Sequence, residues 1–73
     1  MTPATLEFMR AVKALEPCTC NEIAIYLNGR MTRHQVETIL CLLDFLELAR
    51  CTEYNWRLTA LGHKTVESGR WEL

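Results

Sequence analysis

Apolar residues recur at helical spacing near the start of the chain. Between about Pro3 and Glu16 the charged side chains fall away from one apolar stripe. This pattern is typical of an amphipathic helix that packs on a core, and Pro17 is a residue that ends such a helix. The stripe consists of Ala4, Phe8, Ala11, Val12 and Leu15.

Two more helices are predicted by paired start signals. Thr19 with Glu22, and Thr32 with Gln35, have the spacing of a capping box, in which each side chain bonds the backbone N–H of the other residue. Asn28-Gly29 between them supplies a left-handed stop for the first of these helices. The later helix is predicted from 33 to about 48. Its expected buried stripe consists of Val36, Ile39, Leu40, Leu43 and Leu46.

The last third of the chain predicts a short hairpin and a final helix. Residues 49–58 have moderate strand character, with a turn at 53–55, and Trp56 is expected in the core of the hairpin. Thr59 is placed to cap a helix that Ser68-Gly69 ends. The predicted fold is therefore mostly α with a small β-hairpin, in the order α-α-α-β-β-α. That is the order of a winged helix-turn-helix, and 1–73 is expected to form a single domain.

Composition limits the classes of function. A chain of 73 residues makes one small domain, and neither a signal peptide nor an apolar run of membrane-spanning length is visible. We therefore expect a cytoplasmic protein that makes no membrane contact. The formal net charge of −1 weighs against a nucleic-acid binder, because such proteins are often basic.

The four cysteines do not have the spacing of a zinc site. Cys18, Cys20, Cys41 and Cys51 form no C-x2-C pair, so free thiols are favoured over metal ligands, and disulfides are expected least. A thiol-based metal or redox sensor remains an alternative. We expect no metal and no cofactor.

Residues from roughly 19 to 66 resemble the winged helix-turn-helix regulators of bacteria and their phages, such as the MarR and PadR groups. Three stretches carry the resemblance: NEIAIYL at the second helix, MTRHQVETILCLLDFLELAR at the recognition helix, and WRLTALG at the end of the wing. The last is the most specific. The chain departs from the pattern at Glu47, where the family often has glycine, and in its very short wing.

The resemblance implies a DNA-binding transcriptional regulator of bacterial, phage or prophage origin. The recognition helix, about 33–48, would enter the major groove of double-stranded DNA, and the wing, about 49–58, would lie on its backbone. The residues implied as DNA contacts are Arg30, Arg33, His34, Glu37, Thr38, Arg50 and Arg57. The four arginines are expected to gather on one side, which would give a locally positive surface despite the net charge.

Some apolar residues are not needed by a three-helix core. They predict a partner surface and favour a homodimer, which would suit two DNA half-sites. These residues are Ile25, Leu42, Phe45 and Trp71. The alternative function is a winged-helix module that binds a host or partner protein through this surface. No catalytic constellation is visible, so we expect no enzymatic activity.

Overall fold

The computed structural model describes residues 3–69 and has the predicted order of elements. Four helices and one antiparallel hairpin follow each other as α-α-α-β-β-α. The helices are α1 (Pro3–Leu15), α2 (Cys20–Tyr26), α3 (Arg33–Phe45) and α4 (Ala60–Ser68), and the strands are β1 (Ala49–Thr52) and β2 (Asn55–Leu58). The layout matches a winged helix-turn-helix.

The predicted helix caps are confirmed. Thr19 accepts from the backbone N–H of Glu22, and Thr32 accepts from that of Gln35, and in both cases the longer side chain bonds the cap residue in return. Thr59 accepts from the N–H of Gly62 at the start of α4. These bonds satisfy backbone groups that have no partner inside the helix, so they fix where each helix begins.

The predicted recognition helix, α3, is shorter than predicted, because its C-terminus is closed three residues earlier. Glu47 has a left-handed φ of 63°, its N–H donates to Asp44, and the N–H of Leu48 donates to Leu43. These two bonds form a Schellman motif, whose left-handed position is usually glycine. Glu47 therefore adopts a conformation that glycine usually takes at this position of the motif. The sequence pattern did not show this stop, because Leu46 and Leu48 extend the apolar period.

One hydrophobic core joins all six elements. The fully buried residues of α3 are Val36, Leu40 and Leu43, whereas Ile39 and Leu46 of the predicted stripe are only partly buried. In α1 the prediction missed Met9, which is fully buried, and included Ala4, which is exposed. The reason is that α1 packs against α2, α4 and β2, so its buried face is wider than one stripe.

The hairpin is tied to the segment between α1 and α2. Trp56 exchanges two backbone hydrogen bonds with Cys18, with N–O distances of 2.6 and 3.0 Å. The carboxylate of Glu16 accepts from the N–H of Leu58 at 2.8 Å and contacts His63 of α4 at 2.6 Å. Residues 16–18 therefore cover the edge of β2 that does not pair with β1.

The turn of the hairpin has two residues rather than the three predicted, since Asn55 already pairs with Thr52. Glu53 and Tyr54 have φ values of 52° and 68°, as a type I′ turn requires. Such turns favour Asn-Gly, and a left-handed conformation costs other residues roughly 1–2 kcal/mol each.

Gly62 allows α4 to approach the corner between α3 and β1. A Cβ built on Gly62 would lie 2.1 Å from the carbonyl oxygen of Leu48, which also accepts from the N–H of Thr59. This close approach gives a physical reason for the glycine of the WRLTALG stretch.

We predict that Gly62→Ala destabilises the protein by about 1–3 kcal/mol or more, because either α4 or the Leu48 peptide must move. Chemical denaturation measures the change, and Lys64→Ala on the exposed face of the same helix is the control. If the two variants were equally stable, the close packing of α4 on Leu48 would be disproved.

Candidate nucleic-acid interface

The first turns of α3 form an exposed polar face. Arg33, His34, Glu37 and Thr38 are all exposed, while Val36 between them is fully buried. The hydroxyl of Thr38 donates to the carbonyl of His34 at 3.0 Å. That bond leaves only the acceptor capacity and the methyl group of Thr38 for a ligand.

A groove separates one side of α3 from the hairpin. It is lined by Arg33 and Glu37 of α3, by the start of α2 and by the inner face of the hairpin. Tyr54, at the tip of the turn, stands at its border. The complete lining is Thr19, Cys20, Asn21, Arg33, Glu37, Cys41, Cys51, Tyr54 and Trp56.

Arg30 flanks the other side of α3. Its Nε donates to the carbonyl of Leu27 at 3.2 Å, at the end of α2. It lines a shallow depression together with Met31, Gln35 and Thr38. The exposed face of α3 therefore lies between Arg30 on one flank and the hairpin on the other.

The hairpin arginines are arranged differently from Arg33. Arg50 and Arg57 are direct cross-strand neighbours, so they share the hairpin face that Cys51 and Trp56 do not occupy. Arg50 forms an ion pair with Asp44 at 3.0 Å, and Arg57 lines a depression with Glu16, Pro17 and His63. Strand alternation turns these two side chains away from the groove that Arg33 lines. The expectation that the four arginines gather on one side of the domain stays a prediction.

Three of the four residues predicted to form a partner surface are exposed. Ile25 is 70% exposed on α2, and Leu42 and Phe45 are 49% and 83% exposed on α3. Leu42 and Phe45 are three residues apart and hence neighbours on one helix face. Trp71 lies outside the described residues.

Three cysteines that are distant in sequence line the same groove, which no spacing rule indicated. Cys20, Cys41 and Cys51 border it, and within residues 3–69 no group of His, Cys, Asp or Glu is arranged to hold a metal ion. Burial raises the pKa of Cys20, and Glu37 adds to this effect. Burial, reinforced by Glu22, Glu16 and Cys20, raises the pKa of Cys18 to about 11.

Comparison with known proteins identifies a fold but no family. No family model and no curated protein matches the chain. A solved structure described as a protein with unknown function from Listeria innocua Clip11262 superposes with a TM-score of 0.81 at 24% sequence identity. The match covers 92% of this chain and 49% of that one, so the chain spans about half the length of that protein. In the described part of the chain, no helix is long and apolar enough to cross a membrane.

We predict that the thiols differ in reactivity according to exposure. At pH 8 the exposed Cys41 and Cys51 should be alkylated first, whereas Cys18 should react only after unfolding, because its raised pKa and its burial leave it protonated and inaccessible. Timed alkylation followed by peptide mass spectrometry measures the order. Early labelling of Cys18 in native protein would contradict its placement in the core.

Proposed function

We propose that the protein is a small winged-helix protein that binds double-stranded DNA through α3 in the cytoplasm of a bacterium, as a transcriptional regulator of bacterial or phage origin. The observation that supports this most is the four-residue polar face at the start of α3. This face lies on the second helix of a helix-turn-helix whose two helices are both capped, opposite the buried stripe of α3. In this class of fold the N-terminal residues of the recognition helix contact base edges.

Each of the four side chains has a matching base chemistry. Arg33 has the geometry to bind guanine with two hydrogen bonds, and Glu37, one turn later, accepts from a cytosine amine. His34 donates to a base or a phosphate. Thr38 supplies a methyl group for contact with thymine, because its hydroxyl proton is already used within the helix.

Local charge, rather than net charge, decides whether the surface attracts phosphate. Arg33 lies on the exposed face of α3 and Arg30 lies beside it. Arg57 projects from the solvent side of the hairpin. Part of the negative charge lies elsewhere or is paired, as in the Lys13–Glu67 pair between α1 and α4. Arg50 is already paired with Asp44, so we expect it to add less than Arg57.

We predict that Arg33→Ala and Arg57→Ala weaken DNA binding in different ways. Arg33→Ala should cost about 1–3 kcal/mol on a selected site and relax preference at one base position. Arg57→Ala should weaken binding to all sequences alike and lower the salt slope by about one. Binding titrations at several salt concentrations, on a selected site and on random duplex, measure both effects.

Arg10→Ala is the matched control, because it removes the same charge from an exposed position on α1. It should bind like the wild type. If wild type failed to bind duplex DNA even at low salt, the DNA proposal would be wrong, and the interaction module would replace it. If all three variants lost affinity equally, general charge rather than the α3 face would be responsible.

The second candidate function is binding to a protein, either a second copy or a different partner. The specific observation is Phe45, whose side chain is 83% exposed on α3 beside the half-exposed Leu42. Large apolar side chains of this kind mark contact surfaces when they lie together. This function is compatible with DNA binding, because Phe45 lies at the opposite end of α3 from Arg33.

We predict that Phe45→Glu leaves a folded protein but reduces its apparent mass in sedimentation, since it puts a charge into the apolar contact. Leu61→Glu, on a half-exposed residue of α4, is the control and should not change the mass. A wild type that stays monomeric at high concentration would exclude self-association.

A further inference from the structure

The tip of the hairpin has an aromatic residue at a position where the type I′ turn favours glycine. Tyr54 has a φ of 68° and follows Glu53, whose φ is 52°. A type I′ turn requires positive φ at both of these positions, and Asn-Gly is the pair that such turns favour. The side chain of Tyr54 is 90% exposed, so packing within the domain does not account for its presence. A strained residue that the core does not need is a candidate for function.

The position of Tyr54 places it beside the candidate DNA-contacting residues. It borders the groove that Arg33 and Glu37 line on α3, whereas Arg57 lines a different depression. A duplex lying against the first turns of α3 would therefore meet the tip of the turn on this flank. Arg30 occupies the opposite flank.

We propose that Tyr54 is the DNA contact of the hairpin tip, and that its phenolic O–H donates a hydrogen bond to a phosphate oxygen; this rests on the proposed DNA-binding function. Tyrosine hydroxyls are among the groups that contact phosphate oxygens in protein–DNA complexes. The contact carries no base preference. It fixes the position of α3 while Arg33 and Glu37 contact the bases.

The residues at the hairpin tip provide no cation for a phosphate. The tip consists of Glu53, Tyr54 and Asn55, so it carries a carboxylate and no cation. Coulombic attraction therefore does not hold the tip on DNA. A neutral donor releases no counterion, so its contribution to binding does not depend on salt in the way that the contribution of an arginine does.

The test compares three substitutions of Tyr54 by titration on a selected site and on random duplex at several salt concentrations. Tyr54→Ala and Tyr54→Phe should each weaken binding about tenfold on both duplexes, because both remove the hydroxyl. The slope against salt should stay that of the wild type. Tyr54→Gly should bind equally weakly but melt at a higher temperature, since glycine relieves the left-handed strain. Tyr26→Ala, an exposed tyrosine of α2, is the matched control and should bind normally.

Several outcomes would overturn the inference. Normal binding by Tyr54→Phe would exclude the hydrogen bond, and normal binding by Tyr54→Ala would exclude any DNA contact at the tip. A loss of stability in Tyr54→Gly would mean that Tyr54 has a structural role. A changed mass in sedimentation with unchanged DNA affinity would assign Tyr54 to a protein contact. If wild type did not bind DNA at all, the proposed function itself would fail, and this contact with it. If wild type bound DNA and the Tyr54 variants bound equally well, only the contact of Tyr54 would be excluded.

Discussion

The backbone of Leu48 is the point on which the arrangement of the domain depends. Its N–H closes α3 by bonding Leu43, and its carbonyl accepts from Thr59 at the start of α4. Gly62 packs on the same carbonyl with no room for a side chain. The two backbone polar groups of one residue thus set the end of α3, the start of the hairpin and the position of the last helix. The hydroxyl of Thr59 strengthens this junction by donating to Glu47 at 2.6 Å.

Local signals account for most of what the sequence predicted correctly. The starts of α2, α3 and α4 followed from threonines whose partners stand three residues away, and this chemistry is complete within one helical turn. The end of α3 could not be found in this way. Its stop uses a left-handed glutamate, a residue type that rarely takes that conformation, and apolar residues continue on both sides of it.

The candidate site was less predictable than the fold. Exposure of Arg33, His34, Glu37 and Thr38 followed from the helical period, because these residues lie opposite a clear apolar stripe. The separation of Arg57 from Arg33 depended on the register of the hairpin. A one-residue shift would have reversed the two faces, and the predicted turn of three residues gave a different register from the observed turn of two. The sequence did not single out Tyr54, because the steric cost of its left-handed conformation becomes visible only when the turn is known to contain two residues.

The hydrogen bonds from residues 16–18 to β2 have a consequence for how the domain can assemble. A two-stranded sheet has two edges, each with backbone groups that can recruit another chain. In the described part of the chain, Cys18 and the carboxylate of Glu16 occupy the edge of β2, so strand addition is blocked there. The remaining edge belongs to β1, which has four residues and carries a charged arginine. A short, charged edge is a poor template for another strand, and any assembly of this domain is therefore expected to use its helices rather than its sheet.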